Sequence, residues 1–345
     1  CRTLAQAGYT VVLIVPHDND EVVDGVRIRA IPRPRNRWER MTRTAWRVYH
    51  AASKENADLY HFHDPELLPA GLLLRMRGRP VVYDLHEDYV TSFRQKQYLP
   101  SWFRRALAWF WGKVEAYLTR PLEIVLAEKY YTERFPRGTT VLNYPLREHF
   151  PAPVPRTEQS SGLLYTGVVS EDRGALVHGQ VVALMDDIDV HIVGRCSPAL
   201  AERMRQAAGD GRDRLHIAAE GLHVPYHRLL ETYAQRQWIG GLALFPPTPH
   251  YLKKELTKFF EYMGAGIPVI CSDFPVWRSL IKDTQAGICV DPQKPQSIVE
   301  AIRHLMEDPA EVRRLGEKGR RAFESRYNWD GEAEKLTDLY SRLLG

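Results

Sequence analysis

Short runs of apolar and β-branched residues recur along this chain, each bounded by polar, Gly or Pro positions, and each reads as a buried strand. In the first half they are Val11–Val15, Val26–Ile31, Leu59–His61, Val81–Asp84, Ile124–Ala127 and Val141–Leu142. Helical stretches fall between them at Trp38–Ser53, Pro65–Met76 and Trp102–Leu118, after an opening turn of helix closed by Gly8. The pattern pauses at the Pro-rich, polar stretch that begins at Phe150 and then restarts. Strands are expected at Leu163–Tyr165, Val190–Val193, Leu215–Ile217, Gly241–Phe245, Val269–Cys271 and Ile288–Val290, with helices near 198–208, 225–234, 256–264 and 294–307. Alternating strands and helices predict a parallel sheet with helices on both faces, here built twice. The expected division is 1–152 for the first α/β domain, 153–161 for a linker, 162–330 for the second and 331–345 for a closing helix. Ligands of such sheets bind at the carboxyl ends of strands, so the cleft between two facing domains is the default site.

Length agrees with this division, because 345 residues at ~100–200 per domain make two. With 44% hydrophobic and 26% charged residues, collagen, coiled coil and wholesale disorder are excluded. No apolar run approaches the ~18 residues of a membrane span. Cys1, Cys196, Cys271 and Cys289 make no C-x-x-C pair, which predicts reduced thiols in a cytoplasmic protein without a structural zinc or disulfide framework. The chain opens on Cys1 rather than Met, which reads as an incomplete N-terminus, and no signal peptide is read in what remains.

Charge separates the halves. Residues 1–150 carry 23 Lys+Arg against 17 Asp+Glu, and the remainder 24 against 26. Eight arginines lie within 27–47, with Trp38 and Trp46 among them. A later helix carries Trp102, Phe103, Arg104, Arg105, Trp109, Phe110, Trp111 and Lys113. Aromatics interleaved with Arg and Lys suit an anionic membrane surface. The alternative is a solvated basic face with the aromatics in the core. No nucleic-acid motif is present.

The segment Glu255 to Asp273 is the most informative. It reads as a loop, a short helix closed near Gly264-Ala265-Gly266 and a buried strand. The first helical amides, around Leu256, Thr257 and Lys258, present free N–H groups to an anion, and Lys258 adds a full charge. Glu261 lies on the same face three residues on. This suits phosphate beside sugar hydroxyls; the same spacing equally makes a surface Lys–Glu pair.

This segment resembles the donor-site motif of family 4 glycosyltransferases, which have the GT-B fold of two Rossmann-like domains. Ser272–Arg278, Gly287–Pro292, Tyr327–Asp330 and the final helix are similar to the same family. So are His61–Pro69 and Tyr83–Asp88 in the N-terminal half. The resemblance spans nearly the whole chain in the expected order. It implies a retaining enzyme that transfers a sugar from a nucleotide diphosphate to a sugar or lipid-linked acceptor, in surface polysaccharide or glycolipid biosynthesis. It implies a closing helix that returns to the N-terminal domain, and a first strand and acceptor loop that would precede Cys1.

Roles follow from the resemblance position by position. Glu261 matches the second glutamate of an E-x7-E motif and would hold the ribose; Lys253 stands where the first would be. The loop Gly167–Gly174 matches the family's diphosphate loop, with Arg173 at its Lys position and Val168 at its Arg position. Arg173 would therefore grip diphosphate, joined by Lys258. Gly194-Arg195 and Gly221-Leu222, read as loops after their strands, would flank the nucleobase. His86, after the strand Val81–Asp84, would approach the reacting sugar, and a His suits sharing a proton near neutral pH. His61, His63 and Asp64 admit a metal reading, but they match a family pattern that is not a metal site. Asp187-Ile188-Asp189 reads as a turn cap. No metal and no other cofactor is expected, since protein cations and helix amides stabilise the leaving diphosphate in this fold. The resulting expectation is a metal-independent glycosyltransferase, cytoplasmic or peripheral at the inner face of the membrane. A GT-B nucleotide-sugar epimerase and a non-catalytic nucleotide-sugar-binding scaffold are the alternatives.

Overall fold

Why the strands form where they do is clearest in the second half of the computed structural model. Six runs of Val, Ile, Leu and Gly pair in parallel: β8 (Gly162–Thr166), β9 (Asp189–Cys196), β10 (Leu215–Glu220), β11 (Gly240–Ala243), β12 (Val269–Ser272) and β13 (Gly287–Val290). Their order is β10-β9-β8-β11-β12-β13. Strands β8, β11 and β12 are buried on both faces, as continuous apolar runs require. The chain winds outward one way from β8 and the other way from β11. The switch point of the sheet therefore lies between those two strands, and the crevice beyond their carboxyl ends is where an α/β sheet takes its ligand.

The structure describes residues 1–86, 88–95, 100–150 and 162–345, without the side chains of Ser92, Arg94 and Gln95. The stretch 153–161 read as a linker lies outside the described residues. The chain forms two compact units, residues 1–143 with 331–345, and residues 144–330.

The first unit holds its strands in two sheets rather than one. In the order β1-β3-β2, β1 (Val12–Pro16) runs parallel to β3 (Val26–Ile31), and β2 (Glu21–Val23) is antiparallel to it. The β2–β3 hairpin closes through Asp24-Gly25, whose φ values of 50° and 77° are those of a type I′ turn. The second sheet, β4-β5-β6-β7, is all parallel: Tyr60–Phe62, Val81–Leu85, Glu123–Leu126 and Thr139–Thr140. Its core joins Tyr83, Leu85, Ile124 and Leu126 to Leu68, Leu74 and Tyr49.

Two local expectations are corrected. Val141–Leu142 is not a strand; β7 ends at Thr140, and only Val141 N–H continues the pairing, to Leu126 O at 3.0 Å. The helix expected over Trp38–Ser53 is interrupted. Asn36 caps a single turn, Arg37–Glu39, by accepting from Glu39 N–H. A wider π turn, Arg40–Thr44, follows before the helix Ala45–Glu55. All four cysteines are free thiols, Cys271 and Cys289 standing 3.8 Å apart across β12 and β13.

Candidate active site

In the second unit, the loops leaving β8 and β11 and the helix Thr257–Gly264 build one polar cluster. The β8 loop is shaped by glycines. Gly167 has φ 95° and Gly174 φ 76°, and a Cβ on Gly174 would lie 1.9 Å from Leu244 O. Gly194 passes so close to this loop that its own Cβ would sit 1.7 Å from Gly167 O. Backbone approach of this kind admits only glycine. The loop ends in Arg173, whose Nε donates to Tyr251 Oη at 3.2 Å; that hydroxyl donates to Asp172 Oδ2 at 3.0 Å.

From the other side comes the short helix. Leu256 is its extended N-cap and offers no side-chain cap, so the amides of Thr257 and Lys258 form the bare positive end. Lys258 is buried. Its Nζ stands 3.5 Å over the Tyr165 ring and has no hydrogen-bond partner among the described residues. Burial, with Arg173 nearby, drives its pKa well below the ordinary lysine value. One turn on, the buried Glu261 accepts from Tyr233 Oη at 2.9 Å. Burial raises its pKa, against the hydrogen bonds from Tyr233 and Tyr226 that favour the anion. Neither Arg173 nor Lys258 forms an ion pair among the described residues. Two cations and a helix end thus converge beside a tyrosine-held carboxylate, and neither cation is ion-paired among the described residues, an arrangement that suits a diphosphate with an adjacent diol.

Other expected residues lie on the strand ends. Gly194 and Arg195 are not in a loop: β9 runs on to Cys196, because β10 keeps pairing with it through an irregularity at Ala219, where Glu220 meets Cys196. Arg195 carries an exposed side chain, and its carbonyl accepts from Val169 N–H at 3.0 Å. Gly221 N–H bonds Cys196 O at 2.6 Å. Leu222 is exposed and lines a cavity of about 430 Å³ with His191, Trp238 and Arg228. Lys253 is exposed. Sequence reasoning missed Tyr165, Tyr233 and Tyr251, which chain folding alone brings together. It also missed His178, buried in an apolar helix, where its Nε2 accepts from Leu244 N–H at 3.0 Å. Burial keeps that imidazole neutral.

The first unit holds the histidine group. His86 follows β5, and its carbonyl accepts from Tyr131 Oη at 3.1 Å. Its Nε2 lies 3.0 Å from Asp84 Oδ2. The same oxygen is 3.2 Å from His61 Nε2 and 3.2 Å from His63 Nδ1. Asp64 is not the carboxylate of this group; Asp84 is. Burial works to raise the Asp84 pKa, but the three imidazoles hold it well below the carboxylate range. Burial lowers that of His61. The basic aromatic segments of this unit present Trp38, Trp46, Trp102, Trp109 and Phe110 to solvent, not to the core.

The family models match both ends of this description. Glycosyltransferase Family 4 matches residues 1–124, and Glycosyl transferases group 1 matches 257–322, the segment that begins with the bare helix end. The chain belongs to glycosyltransferase family 4. Among solved structures, this family 4 chain is similar to sucrose-phosphate synthase from Thermosynechococcus elongatus, with a TM-score of 0.75 and 21% identity over 99% of this chain and 91% of that one. It is also similar to Anabaena HepE in complex with UDP and glucose, with a TM-score of 0.68 and 12% identity over 92% and 87%. These likenesses give the GT-B fold. Among curated proteins, spore coat protein SA of Bacillus subtilis (strain 168) is 31% identical over 84 residues, 24% of this chain and 22% of that protein. This family 4 chain thus spans under a quarter of the curated relatives it matches. Among the described residues, no helix is long and apolar enough to cross a membrane.

Proposed function

We propose that this chain transfers a sugar from a nucleotide diphosphate to an acceptor hydroxyl, with retention at the anomeric carbon, in surface polysaccharide or glycolipid assembly. One observation carries the reading: the buried Lys258 ammonium, without a hydrogen-bond partner among the described residues, beside Arg173 at the switch point of the sheet. A diphosphate supplies the anionic oxygens that this group lacks. Similarity to a structure holding UDP and glucose supports a nucleotide sugar as the donor.

Arg173 grips the diphosphate as a planar fork and Lys258 as a point charge, with the amides of Thr257 and Lys258 beside them. These groups stabilise the charge that develops on the leaving phosphate, so the donor site needs no divalent ion. Glu261, steadied by Tyr233, accepts from the ribose hydroxyls. The backbone at Gly167, Gly194 and Gly221 and the side chains of Arg195 and Leu222 flank the base. His86, oriented by Asp84, serves the reacting sugar. In front-side retention the bond from the anomeric carbon to the phosphate oxygen breaks while the acceptor oxygen bonds on the same face. The acceptor's proton passes to the departing phosphate. No carboxylate nucleophile is required, in keeping with Lys253 where the first motif glutamate would stand.

Exposed Trp38 and Trp46 among arginines, and Trp102, Trp109 and Phe110 beside Arg104, Arg105 and Lys113, support peripheral contact with an anionic membrane, at its inner face, and a lipid-linked acceptor. The decisive experiment supplies a panel of UDP-, GDP- and ADP-sugars with lipid and sugar acceptors in EDTA. It follows nucleotide release and the anomeric configuration of the product by NMR. Retained product is expected, with kcat/KM reduced at least 100-fold in Arg173→Ala and Glu261→Ala. Wild-type rates in either variant would sink the proposal. Donor epimerised without acceptor would assign the epimerase instead, and binding without turnover a non-catalytic sensor.

A further inference from the structure

The histidine group of the first unit has the makings of a second site. Strands β4 and β5 run parallel in register, His61 beside Val82 and Phe62 beside Tyr83. The pairing brings His61 and the two strand ends together, so that three imidazole nitrogens face one carboxylate oxygen. Those N–O separations, 3.0 to 3.2 Å, are close to the edges of a small tetrahedron. An ion with ligands at ~2.0–2.1 Å has ligand–ligand edges of about 3.3–3.4 Å. The ligand atoms of His61, His63 and Asp84 all lie within 4.8 Å of one another.

Two observations outside the cluster geometry point to a cation. Asp84 is 8% exposed, and its second oxygen, Oδ1, has no hydrogen-bond partner among the described residues. A buried anionic oxygen in that condition is stabilised by a positive charge. The outer nitrogen of His61, Nδ1, is 2.9 Å from Tyr340 Oη. With the Nδ1 proton donated there, the Nε2 lone pair points inward, which is how an outer partner orients a metal-bound imidazole.

We propose that His61 Nε2, His63 Nδ1 and Asp84 bind a divalent transition-metal ion of the zinc type, with His86 Nε2 at the fourth corner. Imidazole with a single carboxylate favours Zn²⁺, Co²⁺ or Ni²⁺ over Mg²⁺ or Ca²⁺, which take mostly oxygen ligands. The site lies in the first unit, and Arg173 and Lys258 belong to the second. Because it engages His86, filling it withdraws that imidazole from the sugar, so the ion inhibits transfer. This last consequence rests on the proposed function; binding of the ion does not.

The test titrates the chelator-treated full chain with Co²⁺, read by its visible d–d absorption, and then displaces it with Zn²⁺. One equivalent with the intense spectrum of a tetrahedral ion is expected. His61→Asn and His63→Asn should each weaken it at least tenfold. Tyr340→Phe, which removes one oxygen at the periphery and keeps the packing, should weaken it about tenfold. Circular dichroism verifies the fold of each variant. No saturable binding, or binding that these three variants leave unchanged, would overturn the proposal and leave a hydrogen-bonded His–Asp cluster.

Discussion

Replacing Lys258 by Met should make the protein more stable and nearly abolish donor binding. The ammonium is buried, lacks a hydrogen-bond partner among the described residues and feels Arg173 beside it. A buried unsatisfied polar group costs about 1–3 kcal/mol, and more when charged. Met has nearly the same length and volume and suits the Tyr165 ring against which the lysine packs. The unliganded variant should therefore gain about 1–3 kcal/mol, or roughly 2–12 °C at ~2–4 °C per kcal/mol. Donor affinity moves the other way. Truncating one partner of a buried charge pair costs about 2–5 kcal/mol, so nucleotide Kd should rise at least ~30-fold. The depressed lysine pKa adds a signature of its own. Diphosphate favours the protonated Nζ, so binding takes up a proton to the extent that burial has left the amine neutral, and affinity should fall as pH rises, by up to about tenfold per unit. Calorimetry with each nucleotide, in buffers of different ionisation enthalpy, counts that proton directly. A Lys258→Met protein that melts lower and binds nucleotide as tightly as wild type would refute the reasoning.

Further outcomes follow from other parts of the structure. Removing Arg134 in Arg134→Met strands the fully buried Glu115, which it meets at 2.6 Å, and should cost about 3–5 kcal/mol in urea unfolding of the first unit; a change under about 1 kcal/mol would contradict the pairing. Gly174→Ala meets both a positive φ and Leu244 O, so it should lower the melting temperature and weaken nucleotide binding together; a neutral effect would mean that the loop is not held there. Stability should also decline as pH falls below the ordinary histidine value. Burial pushes the pKa of His178 well down and lowers that of His61, against the pull of Asp84, whereas the unfolded chain protonates them near 6.5. Each contributes stability that is full above about 6.5 and is lost on acidification, at no more than ~1.4 kcal/mol per pH unit. Flat urea midpoints between pH 7 and 5 would contradict this.

Much of the fold was legible because β-branched runs such as Val26–Ile31 and Val81–Leu85 read as strands wherever they sit. What escaped reading lacked a periodic signal. The helix Ala175–Leu184 has His178 and Gln180 as its polar side chains, two residues apart and so on different sides, and no polar face marks it. The β2 strand is three residues long and exposed, and only the Asp24-Gly25 turn announces it. Gly194 and Arg195 looked like a loop because strand propensity ends at Val193; pairing with β10 carries the strand on. At the site, Lys258 and Glu261 were readable from helix spacing and Arg173 from its motif. The tyrosines that support them come from distant segments, and no spacing along the chain links Tyr165 or Tyr233 to Glu261. The same holds for Asp84. As a carboxylate for His61 and His63, Asp64 is closer in sequence, but strand pairing brings Asp84 to them instead.

The measurement that tests the central claim most directly is equilibrium binding of UDP, GDP and ADP, and of their sugar conjugates, in EDTA. A thermal shift reads it. One nucleotide family at 100 times its dissociation constant should add ~2.7 kcal/mol to unfolding. That shift should vanish in Arg173→Ala and Glu261→Ala, both folded. If no nucleotide shifts the wild-type melt, or if a shift survives both substitutions, the cluster around Lys258 is not a nucleotide diphosphate site and the account fails.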